Sequence, residues 1–335
     1  MAFPQSLSGV QFSLPDLPVL RLRMTLRLLE DTHLPAFKGG MLRGGFGYAF
    51  QRGTCPPSCW GASATCSIPT PCAYRTVFET THPPDSTALH NLQDIPRPFV
   101  IEPPSDTRTA YIAGETLEFG VVLLGRGIDY LPYFIWGFEQ LGRMGLGQPH
   151  TPARLERVEA LQPWRPVGDV IYQDGCVTQN IDSLPLYDPS TILAHAATLP
   201  ADLRLVLQTP LRLKTRGDWL RRIDPPALVQ AICWRLNALA TFHGPAPWPV
   251  DHRALIEQAR TIQVTHEQVQ WVDWHRTSTR DETPRDMILG GILGSAQLHN
   301  VPPDIRTVLV AGSLVHVGKA CVFGHGRIAL EVQVI

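Results

Sequence analysis

Leu20, Leu22, Met24, Leu26 and Leu28 alternate with Arg21, Arg23, Thr25 and Arg27. A period of two predicts a β-strand with one face in a core and the other lined by three arginines. Leu42, Phe46 and Phe50 follow at helical spacing and predict a helix over 40–51. Its many glycines are costly inside a helix and imply that something packs closely against it. Short strands are expected at 76–79 and 98–102, a longer one at 115–124, a helix at 131–144 and a strand at 154–160. The second half repeats the pattern. It reads as a strand over 203–214 bulged at Pro210, then a helix over 227–242 behind the cap Asp224. Strands over 264–276 (with a bulge) and 288–298, a helix over 304–317 and a final strand complete the chain.

Each half ends with the same device. An apolar helix runs into Gly142-Arg143 and the turn Gly145-Leu146-Gly147, and later into Gly318-Lys319 and Gly324-His325-Gly326 before a closing strand. Such turns serve as tight helix-to-strand connections, and their amide groups can also line an anion site. Repetition of a β–α–β–β–α–β unit predicts an α+β chain of tandem ferredoxin-like domains. The expected division is a first domain over 1–165 with a cysteine-rich insertion at 53–75, a linker over 166–200 and a second domain over 201–335.

At 335 residues the chain is long enough for two such domains, and its 44% hydrophobic content supplies their cores. The net charge of −1 argues against indiscriminate binding of nucleic acid and leaves local patches as the route to a specific RNA. No run approaches membrane-spanning length, and residues 1–18 lack the basic-then-apolar pattern of a signal peptide, so a cytoplasmic protein with no membrane partner is expected. Cys55, Cys59, Cys66 and Cys72 crowd into a proline-rich loop. Four thiolates there suit a structural zinc; an iron–sulfur cluster or unligated thiols are the other readings.

Three stretches carry a family resemblance: Leu34-Pro-Ala-Phe-Lys38-Gly-Gly-Met-Leu-Arg43-Gly-Gly-Phe-Gly47, the cysteine block ending in Cys72-Ala-Tyr74, and His316-Val-Gly-Lys319-Ala-Cys-Val-Phe-Gly-His325-Gly-Arg327. Together they resemble the CRISPR precursor-RNA-processing endoribonuclease of the RAMP superfamily, in its cysteine-containing branch. The resemblance implies cleavage of the CRISPR repeat transcript with no catalytic cofactor. The 2′-hydroxyl attacks the phosphate and leaves a 2′,3′-cyclic phosphate and a 5′-hydroxyl.

That chemistry needs a proton acceptor, a donor and cations. Many relatives carry a histidine on the first helix; this helix has Tyr48 and none. His33, just before it, and His316, one helical turn from Lys319, are the rival bases. Arg21, Arg23, Lys38, Arg43, Arg143, Lys319, His325 and Arg327 are the expected RNA contacts. Partners implied are precursor crRNA, a CRISPR effector complex and a second copy of the chain. A non-catalytic crRNA-binding subunit and a zinc-stapled protein scaffold are the competing readings.

Overall fold

The computed structural model describes residues 12–60, 72–82, 87–147, 150–178, 183–215, 217–278 and 285–332. The alternating segment becomes β1 (Val19–Leu28), followed by β2 (Thr32–His33), α1 (Gly39–Thr54) and α2 (Ala73–Phe78). Next come β3 (Phe99–Glu102), β4 (Ala110–Tyr111), β5 (Thr116–Leu124), α3 (Leu131–Met144) and β6 (Ala153–Leu161). Then β7 (Gly168–Gln173), β8 (Cys176–Val177) and α4 (Pro189–Thr198) lead into the second half. That half contains β9 (Leu203–Leu211), β10 (Lys214–Thr215), β11 (Asp218–Trp219), α5 (Pro225–His243), α6 (His252–Ala259) and β12 (Gln263–Val272). It ends with β13 (His275–Ser278), β14 (Arg285–Ile288), β15 (Gly291–His299), α7 (Pro303–Val315) and β16 (Ile328–Glu331).

The first sheet has the order β3-β5-β1-β6-β7-β8 and the second β12-β15-β9-β16. In both, the third strand of the unit pairs with the first, and the fourth takes its other side. This is the ferredoxin-like order, present twice. All of these pairings are antiparallel. The expected bulge at Pro210 is present as a register shift between Leu207 and Leu211.

Two expectations need correction. Residues 76–79 do not form a strand: they lie in and just beyond the helix α2, where Tyr74 and Phe78 stack one turn apart, ring centroids 5.0 Å apart. The stretch 166–200 carries regular structure, since β7 and β8 extend the first sheet and α4 packs on α7.

The two faces of β1 have different fates. Leu20, Leu22, Met24, Leu26 and Leu28 enter the core beneath α1 and α3. There Phe46 stacks on Phe138 at 4.4 Å, and Gly137 leaves room for it: a Cβ would sit 2.7 Å from the Phe46 ring. The glycines of the two helices thus permit their close approach. On the opposite face Val19, Val100, Val122 and Leu124 join the core of the second half, with Leu228, Ile232, Val308 and Val315. The arginine side of β1 is therefore partly roofed by the second domain. Period two puts Arg21 on the face of Val19, and Glu102 on the face of Val100.

Candidate functional site

Helix α7 stops at Val315 because His316 takes φ 61°, and the chain then turns through Gly318 (φ 90°), Ala320 (φ 62°), Gly324 (φ 90°) and Gly326 (φ 70°). The glycines are needed for space as well as for φ. A Cβ on Gly326 would fall 1.7 Å from the Val317 carbonyl oxygen, and one on Gly324 would strike Pro103 and the Ile101 carbonyl of the first domain. Many of the loop amides are already bonded within the protein. Lys319 N donates to the Arg212 carbonyl (3.0 Å), Gly326 N to Pro210 (3.0 Å), Val317 N to Gly326 (2.9 Å) and Arg327 N to Thr209 Oγ1 (2.8 Å). The loop is a rigid buttress, and what it offers outward is side chains.

Glu102, at the end of the fully buried strand β3, is the hub of the seam. Arg21 of β1 donates to both its oxygens, at 2.9 and 3.2 Å. From the second domain, His316 Nε2 lies 2.9 Å from Oε1 and Arg327 Nε 3.5 Å from it. The carboxylate needs the place of a missing side chain: a Cβ on its cross-strand partner Gly120 would lie 2.6 Å from Oε2. Burial alone would raise the Glu102 pKa, but Arg21, then Arg327 and His316, hold it well below the ordinary carboxylate value.

His316 is wholly buried, and its Nδ1 lies 3.0 Å from the His325 carbonyl oxygen. Its two nitrogens face two acceptors, and only the imidazolium donates to both. Burial opposes that charge and lowers the pKa, while Glu102 favours it. With both nitrogens engaged inside the protein, His316 meets no ribose hydroxyl in this arrangement.

Most of the other expected contacts are also engaged. Arg23 pairs with Glu159 at 3.6 Å and donates to the Pro166 carbonyl at 3.1 Å. Arg27 pairs with Glu156. The arginine face of β1 is thus largely neutralised by glutamates of β3 and β6. Lys38 is buried, donates to the Arg108 carbonyl at 2.6 Å and lies 3.6 Å from Asp106; burial lowers its pKa. The Arg43 guanidinium sits against Phe78 (4.6 Å), Phe99 (5.5 Å) and Phe323 (5.9 Å), the last from the second domain. His325 is buried edge-on to Phe37 and Trp274, and burial pulls its pKa to about 4. Lys38, Arg43 and His325, expected as RNA contacts, and His316, expected as a rival base, all make these contacts within the protein. Arg143 is exposed, 4.0 Å from Glu139.

His33 and Lys319 are both exposed. His33 lies on the ribbon β2–β4, opposite Ala110. The segment that follows reaches the glycine loop twice. The Phe37 ring lies 5.1 Å from that of His325, and Gly39 packs so tightly on the Phe323 carbonyl that a Cβ would sit 2.2 Å from it. The return strand β4 begins at Ala110, eight positions after Glu102. Cys55, Cys59 and Cys72 flank the short turn after α1 and the start of α2, and Cys66 lies outside the described residues.

Residues 205–328, from β9 to the start of β16 and including the glycine loop, match the family model of the CRISPR-associated endoribonuclease Cas6. Residues 17–185, half of the chain, match an N-terminal-domain model, AF_1859_N. The chain belongs to the AF_1859_N family over its first half and carries a Cas6 match in its second.

An uncharacterized protein of Archaeoglobus fulgidus is 24% identical over 311 residues, 91% of this chain and 95% of that protein. A Cas6 product complex, of a Thermus thermophilus Cas6, matches with a TM-score of 0.55 and 15% identity, over 93% of this chain and 99% of that one. A chain of a partial Cas6-RT-Cas1–Cas2 complex matches with a TM-score of 0.58 and 18% identity, covering 96% of this chain, which spans 48% of that one. These likenesses establish the tandem ferredoxin-like fold. No helix among the described residues is long and apolar enough to cross a membrane.

Sequence reasoning missed Glu102, the residue to which this seam is tied. An acid closing the apolar run Phe99-Val-Ile-Glu102 was the available signal. It also missed Trp219 and Arg221, which make cation–aromatic pairs with Lys214 and Trp271.

Proposed function

We propose that this chain is a metal-independent endoribonuclease that binds CRISPR repeat RNA and cuts precursor crRNA. The observation that carries the proposal is the Cas6 match over residues 205–328, which ends in the glycine loop that carries the exposed Lys319. Of the two rival imidazoles, His33 is the exposed one, and it is our choice of base. Its ring takes the proton of the 2′-hydroxyl, and that oxygen bonds to phosphorus. The bond from phosphorus to the 5′-oxygen breaks, and the 5′-oxygen takes a proton from solvent water, leaving a 2′,3′-cyclic phosphate and a 5′-hydroxyl. Lys319 faces the charge that builds on the phosphoryl oxygens, and the partly exposed Arg327 adds to it from the edge of the seam.

The test is incubation of the protein with its cognate repeat RNA in EDTA. Cleavage abolished by a 2′-deoxy nucleotide at the scissile position supports the proposal. Cleavage that needs a divalent metal, or that ignores the deoxy substitution, removes it.

The burial of His316 and His325 favours a second reading, a crRNA-binding subunit that does not cut; binding without cleavage in the same assay identifies it. For the cysteine block we retain a structural zinc as a proposal, resting on the spacing of Cys55, Cys59, Cys66 and Cys72 and tested by metal content of the purified protein.

A further inference from the structure

The cations of this chain fall into two populations. Those on β1 are matched to carboxylates: Arg21 to Glu102, Arg23 to Glu159 and Arg27 to Glu156. Those along the edge of the second domain are held another way. Lys214 Nζ lies 4.7 Å from the centre of the Trp219 ring, and the Arg212 guanidinium lies 4.2 Å from the same ring. The Arg221 guanidinium lies 3.8 Å from the Trp271 ring. Among the described residues Lys214, Arg221 and Lys319 meet no carboxylate within 4 Å, and all three are exposed. A cation on an indole is fixed in position with its charge intact, because the ring is attractive but carries no net charge. A cation on a carboxylate is fixed and neutralised.

These groups form one continuous edge. The glycine loop is bonded to it where Lys319 N donates to the Arg212 carbonyl. Arg212 leads directly into the hairpin β10–β11, in which Lys214 and Trp219 are partners. Leu220 N returns to the Leu213 carbonyl at 2.9 Å and sets Arg221 at the foot of that hairpin. Trp271 pairs with Ile292, which pairs with Leu211, so the second indole lies on the same end of the sheet.

We infer that the phosphate backbone of a single RNA strand runs from Lys319 along the Lys214–Trp219 hairpin to Arg221, and not across the arginine face of β1. This rests on the RNA reading above and adds a site to it. An acidic polypeptide is the competing partner for such an edge. Exposed cations without carboxylate partners, gathered along one edge of a protein with a net charge of −1, favour a polyanion such as a phosphate backbone.

The experiment measures the affinity of a labelled single-stranded oligouridylate as a function of salt, for the parent, for Lys214→Ala/Arg221→Ala and for the charge control Arg260→Ala, whose arginine is paired with Glu257 at 2.9 Å. Loss of two phosphate contacts should flatten the log–log slope by about 1.4. The control should keep the parental slope. Lys214→Glu, at an exposed position that leaves folding intact, should weaken binding more than Lys214→Ala. A salt-dependent parent with an unchanged slope in the double variant overturns the track and leaves the RNA reading standing. A parent that ignores RNA and binds polyglutamate overturns both.

Discussion

His316 Nε2 lies 2.9 Å from Glu102 Oε1, a contact made across 214 positions of sequence and across the joint between the two ferredoxin-like halves. Arg21 reaches the same carboxylate from the first domain and Arg327 from the second. One buried acid thus ties the glycine loop to the sheet of the other domain. Removing it leaves two guanidinium groups and an imidazole facing each other.

Glu102→Ala should therefore destabilise the protein by about 3 to 5 kcal/mol, the cost of breaking a buried charge network from one side. Chemical denaturation of parent and variant measures it. A loss under about 0.5 kcal/mol, the range of ordinary surface changes, would mean the cluster contributes nothing to the joint.

Gly324→Ala should also act at the joint. Its φ of 90° disfavours any side chain, and the added methyl meets Pro103 and the Ile101 carbonyl of the first domain. Unfolding should occur at lower denaturant, with roughly 1 to 3 kcal/mol lost to strain. Gly114→Ala is the informative comparison: its φ of 87° is as demanding, but no atom lies within 4 Å of the new Cβ. Equal losses in the two variants would show that backbone strain alone, not contact with the first domain, sets the cost.

Acid should weaken the fold in a defined window. His243, 1% exposed and 2.7 Å from the Pro96 carbonyl oxygen, and His325, fully buried, both have pKa values pulled down to about 4 by burial. In the unfolded chain each titrates near 6.5. Between those values the unfolded state binds more protons, so stability is complete above pH 6.5 and declines as the pH falls toward 4. The decline should be roughly 3 kcal/mol for each ring. His243→Gln should flatten the profile over that interval, and a profile of unchanged steepness would refute the assignment.

The fold was largely legible because its signals are local. Alternation marked β1 and helical spacing marked α1, while the glycines after α3 and α7 marked the turns. The segment 76–79 misled because Thr76, Val77 and Phe78 favour strands in isolation. In the fold, Phe78 packs against Phe46 and Phe50, and the Tyr74–Phe78 spacing of four residues serves a helix. The site was less legible because exposure is not a local property. Nothing near Arg21 in the sequence announces Glu102, 81 positions away. Nothing near Lys38 announces the Arg108 carbonyl that takes its charge inward. Cations beside glycines look alike until the second domain closes over some of them and leaves Lys319 outside.

The most direct measurement of the central claim is single-turnover cleavage of cognate repeat RNA by His33→Ala in EDTA, with RNA affinity measured alongside. The account predicts a rate lowered by about a hundredfold to ten-thousandfold, with binding close to parental. Cleavage at the parental rate would contradict it.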